Sequence, residues 1–166
     1  MKKIAIVLLV IVVLCALCAC DPKPNKGGST NNSQGSSNDD FQNEQEITKM
    51  YITIYDNKLE VTLENNCAVK DLVGLLKQGN ITYTASDYGG FEKVGNIGHG
   101  LTTNDKQITT QAGDVVLYQG NQICIMVGSN SWSYTRIGRL NGFSSQQLRE
   151  LIGIGKGSAQ VTISLD

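Results

Sequence analysis

Gly120-Asn121-Gln122-Ile123-Cys124-Ile125-Met126-Val127-Gly128-Ser129-Asn130-Ser131-Trp132-Ser133-Tyr134-Thr135-Arg136-Ile137-Gly138-Arg139 joins an apolar, β-branched run to the single tryptophan of the chain and a polar, aromatic and cationic cluster. Asp114 to Tyr118, just before it, is equally apolar, so a turn at Gly120-Asn121 predicts a β-hairpin. With that two-residue turn, Gln119 faces Gln122, Leu117 faces Cys124 and Val115 faces Met126. Tyr118 with Ile123 and Val116 with Ile125 then share the opposite face. Both faces come out largely apolar. Such a strand pair needs cover on both sides, which a barrel wall meets with the core on one and a helix, loop or ligand pocket on the other.

The neighbouring segments read as further short strands with two helices. Met50 to Tyr55 alternates, Asp56-Asn57 offers a turn, and Lys58 to Leu63 alternates again, which predicts an opening hairpin. Asn65 or Asn66 caps a helix running through Gln78, with Ala68, Val69, Leu72, Val73, Leu75 and Leu76 at helical spacing and Gly79 closing it. Ile81–Ala85, Asp114–Val127, Arg136–Leu140 and Ala159–Leu165 read as strands, and Ser144 with Gln147 forms a capping box for a short helix through Leu151. Many short strands, two helices and 18 glycines predict a mainly β protein, a small barrel or sandwich.

Ahead of this domain the chain carries an address. Lys2 and Lys3 precede an unbroken apolar run from Ile4 to Leu17, the length of a signal-peptide core and short of the roughly 20 residues of a spanning helix. Leu17-Cys18-Ala19-Cys20 resembles a bacterial lipobox, with a small residue before the cysteine that is acylated, so Cys20 is the expected lipidation site. A diacylglyceryl group supplies the two chains that stable attachment requires. Asp21 resembles an inner-membrane retention signal, and the expected location is the outer face of the cytoplasmic membrane. The polar stretch from Asp21 to about Glu46 buries too little to fold. As a flexible coil of about 26 residues it would span roughly 30 Å. The expected organisation is a signal peptide at 1–19, lipidated Cys20 and linker at 20–46, and one domain at 47–166.

Charge and composition exclude several functions. Removing Lys2 and Lys3 from the 14 basic side chains leaves 12 against 15 acidic ones, and the remaining lysines are scattered, which excludes a nucleic-acid binder. His99, the single histidine, lies between Gly98 and Gly100 without metal-ligand spacing, so it reads as a loop residue and no metal is expected. No nucleophile elbow or Cys/His pair appears, and Asn96-Ile97-Gly98-His99-Gly100 lacks the lysine and following helix of a phosphate loop. Cys67 and Cys124 occupy apolar positions, which predicts two separate buried thiols; an export compartment leaves a disulfide as the alternative.

Gly120 to Ile125, with Trp132 ten positions after Gln122 and then Ile137-Gly138-Arg139-Leu140, resembles the Gly-Ser-Gln-Phe-Phe-Ile, Trp and Phe-Gly-x-Val block of cyclophilins. More closely, nearly the whole domain resembles the bacterial cyclophilin-like fold proteins, on Ser86 to Gly95, Ile108 to Asp114 and Ser129 to Arg136. This resemblance implies a closed barrel of about eight strands capped by two short helices. It also implies a groove.

In cyclophilins an arginine ahead of the Gly-x-Gln block hydrogen-bonds the substrate and favours the twisted amide over its roughly 18–20 kcal/mol barrier. Here no arginine precedes Arg136, Lys93 close after Phe91 is the candidate upstream cation, and Cys124 stands where the key phenylalanine would. Gln122 and Trp132 match. No catalytic residue and no cofactor are therefore expected, and the candidate groove comprises Gln122, Trp132, Tyr88, Phe91, Lys93, Cys124 and Arg136. The first reading is a monomeric binding module for a peptide, exported protein or small ligand. The second is a weak prolyl isomerase aiding exported proteins, with Lys93 or Arg136 as the cation. Trp132, Tyr134 and Tyr118 have a plainer alternative as barrel packing.

Overall fold

Alternation in the first strand shows how the barrel is built. β1 (Lys49–Ile54) turns Met50, Ile52 and Ile54 fully inward and leaves Tyr51 and Thr53 partly exposed. The computed structural model describes residues 46–166, so the expected signal peptide, Cys20 and nearly all of the linker lie outside the described residues. β1 pairs with β2 (Asn57–Leu63), Ile54 opposite Asn57. The connecting turn is thus Tyr55-Asp56 and not Asp56-Asn57, with Tyr55 in the left-handed region at φ 50°. Asn57 belongs to the strand through its pairing with Ile54, and its side-chain amide donates to the Leu151 carbonyl at 2.9 Å.

α1 (Cys67–Leu76) starts where Asn66 accepts the Val69 N–H at 3.0 Å. The same Asn66 amide donates to the Arg136 carbonyl at 2.8 Å, so the cap also ties helix to wall. Ala68, Val69, Leu72 and Leu76 face the core. Cys67 departs from the expected burial: it is exposed, since the inward stripe begins one residue later, while Cys124 is buried, and both thiols are free. α2 (Ser145–Leu151) carries the reciprocal Ser144–Gln147 capping box.

The remaining strands are β3 (Ile81–Tyr88), β4 (Glu92–Asn96), β5 (Lys106–Thr109), β6 (Asp114–Tyr118), β7 (Gln122–Met126), β8 (Ser131–Leu140) and β9 (Ala159–Ser164). Eight of the nine close a barrel in the order β2-β1-β9-β3-β4-β7-β6-β8, antiparallel throughout, with β8 returning to β2; β5 adds to β8 only. Closure rests on a short contact, Val61 to Leu63 against Leu140 to Gly138. A Cβ on Gly138 would collide with the Thr62 carbonyl oxygen, so only glycine lets the two strands meet. Neither β4 nor β5 follows an apolar alternation, which hid both from sequence reading, and β8 starts at Ser131, five residues before the expected Arg136.

The hairpin register also differs from expectation. Gln119 and Gly120 have φ of 50° and 74°, and the Asn121 N–H returns to the Tyr118 carbonyl at 3.3 Å, so these two residues form the turn and Asn121 is left over. Tyr118 then lies opposite Gln122, Leu117 opposite Ile123, Val116 opposite Cys124 and Val115 opposite Ile125. Leu117, Val115, Ile123 and Ile125 join the main core, whereas Val116, Cys124, Met126 and Tyr134 form a second apolar cluster on the outside of the wall. The wall is apolar on both faces, as its sequence requires.

β4 is fixed by a charge. Lys93 is fully buried, with Nζ 2.8 Å from Asp87 Oδ1, 2.8 Å from the Gly157 carbonyl and 3.3 Å from the Gly153 carbonyl. The ammonium thus has one carboxylate as its ion-pair partner and two carbonyls as hydrogen-bond acceptors. Asp87 Oδ2 in turn accepts the N–H groups of Gly155 and Gly157, both at 2.9 Å, which clamps the loop between α2 and β9. Desolvation pushes the Asp87 carboxyl up, but the hydrogen bonds from Lys93, Gly157 and Gly155 and the lysine charge outweigh it and hold it below its ordinary value. Its stability contribution is complete above the unfolded value of about 3.9 and is lost as pH falls through the lower folded value. Lys93→Met keeps the stem but leaves Asp87 without its countercharge and two carbonyls without a donor. We expect a loss of about 3 kcal/mol at neutral pH in urea unfolding, and an unchanged midpoint would refute the clamp.

Candidate functional site

On the outside of the wall, above the second apolar cluster, lies a cavity of about 560 Å³ bordered by Tyr88, Phe91, Glu92, Val94, Tyr118, Gln122, Asn130, Trp132 and Tyr134. Its size suits a small ligand. Strand period explains the membership. Glu92 and Val94 point outward from β4 because Lys93 points inward, and their partners across the pairing are Met126 and Cys124 of β7. Tyr118 and Gln122 end the β6–β7 hairpin side by side, and Trp132 and Tyr134 project two residues apart from β8.

The aromatic rings are set by one another. Tyr88 and Phe91 meet edge to face with centroids 6.0 Å apart at 87°, and Tyr118 and Tyr134 do so at 6.0 Å and 66°. Asn130 donates to the Tyr134 hydroxyl at 2.8 Å. Gln122 donates to Gln119 at 3.2 Å, and Gln119 donates to the Tyr118 hydroxyl at 3.2 Å, so one rim is a short chain of hydrogen bonds. Tyr88 and Trp132 stand at the mouth, 63% and 54% exposed.

Glu92 is the chemical centre. It is only 5% exposed, and its Oε2 is buried without a hydrogen-bond partner among the described residues. Desolvation raises its pKa, and the Cys124 thiol within hydrogen-bonding reach offsets this only in part. Cys124 is itself pushed well above the ordinary thiol range, by desolvation first and by the Glu92 carboxylate second. Desolvation likewise raises Tyr134, with the Asn130 hydrogen bond opposing it. A thiol held protonated is no nucleophile.

Of the seven residues expected in the groove, Tyr88, Phe91, Gln122 and Trp132 border this cavity, and Cys124 lies beneath it in the second apolar cluster. Lys93 does not reach it. That side chain occupies the opposite face of β4, opposite the core residue Ile125, because a strand cannot send adjacent residues the same way. Arg136 does not border it either; its guanidinium lies 3.4 Å from the buried Asp114, which Arg139 also pairs. Glu92, Val94, Tyr118, Asn130 and Tyr134 were not among the expected groove residues. The three-residue connection Gln119-Gly120-Asn121 puts Tyr118 opposite Gln122, and Glu92 was legible only once Lys93 was known to be buried. Among the described residues no group of His, Cys, Asp and Glu is arranged to hold a metal, and His99 is exposed in a loop.

A closed eight-stranded barrel with a cavity on its outer wall defines a cyclophilin-like domain. Residues 52–164 match the cyclophilin-like family, and the chain belongs to it. The solution structure of the hypothetical protein AF2241 from Archaeoglobus fulgidus is similar, with a TM-score of 0.56, 20% identity, and 75% of this chain and 99% of that chain covered. McbB in complex with tryptophan gives a TM-score of 0.48 at 14% identity over 69% of this chain and 44% of that one. The likeness to AF2241 speaks to fold alone. No curated protein sequence matches the chain.

A carboxyl whose folded pKa is raised stabilises the fold at low pH and loses that contribution as pH climbs through the folded value. Glu92→Gln removes this loss. The variant should unfold at a higher urea concentration than wild type at pH 7 to 8, with the difference shrinking toward pH 4; a variant less stable at neutral pH would contradict the burial of an unpaired carboxylate.

Proposed function

We propose that this chain is an extracytoplasmic lipoprotein, anchored through Cys20 to the outer face of the cytoplasmic membrane, whose cyclophilin-like domain is a monomeric binding module. The observation that carries the binding reading is the cavity lining: five aromatic rings and a carboxyl, with no lysine, arginine or histidine among the bordering residues. Prolyl isomerisation needs a donor aimed at the twisting amide. Lys93 is committed to Asp87 inside the barrel and Arg136 to Asp114, so neither is available for that role. Exposed tryptophan and tyrosine at the mouth are residue types that dominate binding energy.

The alternative of a weak isomerase rests on Gln122 and Trp132 sharing the cavity. A protease-coupled assay on a proline peptide separates the two: turnover near the uncatalysed rate is expected, and robust turnover abolished by Trp132→Ala and by Gln122→Ala would overturn the binding reading. Among the described residues no helix is long and apolar enough to cross a membrane. The lipid anchor rests on the small residue before Cys20 and the apolar run ahead of it. Labelled palmitate should enter the wild-type chain and not Cys20→Ala; equal labelling of both would refute Cys20 as the anchor.

A further inference from the structure

We infer that the outer-wall cavity takes an organic ammonium ion, a primary amine on a short apolar stem, whose N–H groups bond the Glu92 carboxyl group while the stem lies among Tyr88, Phe91, Tyr118, Trp132 and Tyr134. This deepens the binding reading and rests on it.

Glu92 supplies the first reason. Buried polar groups are paired as a rule, and Oε2 is a buried acceptor, 95% of its residue out of water, with no donor among the described residues. The nearby Cys124 thiol is a weak donor. No cation borders the cavity, so the charge that a carboxylate calls for is absent from the site's own residues. An incoming ammonium brings both the missing donor and the missing charge.

The rings supply the second. A cation is drawn to aromatic faces, and five rings border the same cavity as this carboxyl, two of them exposed. The competing ligand chemistries each leave something unmet. An anion meets Glu92 with like charge, a neutral apolar molecule leaves Oε2 without a donor, and a quaternary ammonium has no N–H to give. Phe91, Val94 and Tyr118, which border the cavity and pack against the apolar cluster of Val116, Cys124 and Met126, favour an alkyl stem over a hydrated one.

One chemistry has two sources here, a free amine or a lysine side chain of a peptide. Calorimetric titration of the full chain uses n-butylamine, n-butanol, tetramethylammonium, butyrate, and a blocked Gly-Lys-Gly peptide as probes. Trp132, the single tryptophan, reports occupancy independently by its emission.

The expected result is n-butylammonium binding about tenfold or more tighter than n-butanol or tetramethylammonium, no butyrate binding, and an advantage over n-butanol that Glu92→Gln abolishes. The variant keeps the side-chain shape, and its Trp132 emission verifies the fold. Peptide binding tighter or weaker than n-butylammonium supports the inference either way and tells the two sources apart. n-Butanol or tetramethylammonium binding as tightly as n-butylammonium, or n-butylammonium binding unchanged in Glu92→Gln, overturns the ammonium ion while leaving a binding cavity. Failure of every probe together with failure of a proline peptide to bind overturns the binding reading as well.

Discussion

The site depends on the buried ion pair between Lys93 and Asp87. A β-strand sends neighbouring side chains to opposite faces, so a lysine held inside the barrel obliges Glu92 and Val94 to face out. Slipping β4 by one residue would put Glu92 among core side chains and expose the lysine, losing the bonds to Asp87 and to the carbonyls of Gly153 and Gly157. The pair contributes specificity of register at least as much as net stability, because desolvating two charges consumes much of what their attraction returns. The same contact anchors the glycine-rich loop before β9, a strand that pairs with both β1 and β3. One charged contact thus orients a strand, a loop and a cavity.

The wall between β4 and β8 is built to be apolar on both sides. Inside, Val115, Leu117, Ile123 and Ile125 are fully buried in the main core. Outside, Val116, Cys124, Met126 and Tyr134 are nearly as buried, but their cover is the ring of aromatics at the cavity and not a second layer of the fold. That arrangement leaves an opening where a packed helix would have filled it. Placing an unpaired carboxyl at its base costs stability, and natural chains carry such costs mostly where function requires them. No cation borders this cavity among the described residues, and burial holds Cys124 protonated.

Local signals in the chain were read well wherever the deciding contacts are local. Asn66, one of the two asparagines expected as cap, and Ser144 cap their helices, since a cap is a bond between residues three apart. Tyr88, Phe91, Gln122 and Trp132 were legible through family resemblance and do border one cavity. Lys93 and Arg136 were legible only as cations. Where their charges go depends on Asp87 and Asp114, each reached through strand pairing or a chain reversal and not through periodicity.

By itself the sequence determined a mainly β class, because alternating β-branched strands, two capped helices and an apolar two-faced hairpin bury their surface in a barrel or a sandwich, and the closed barrel was legible through the family resemblance. Tertiary structure alone decided what the cavity contains. A one-residue difference at the Gln119-Gly120 turn moved Tyr118 beside Gln122, and burial of Lys93 turned Glu92 outward. Both outcomes follow from the two-residue period of a strand, which converts a single step of register into a change of face. Register is fixed by partners far along the chain, so no local pattern could reveal that the site is acidic and aromatic where its cyclophilin resemblance suggested a cation.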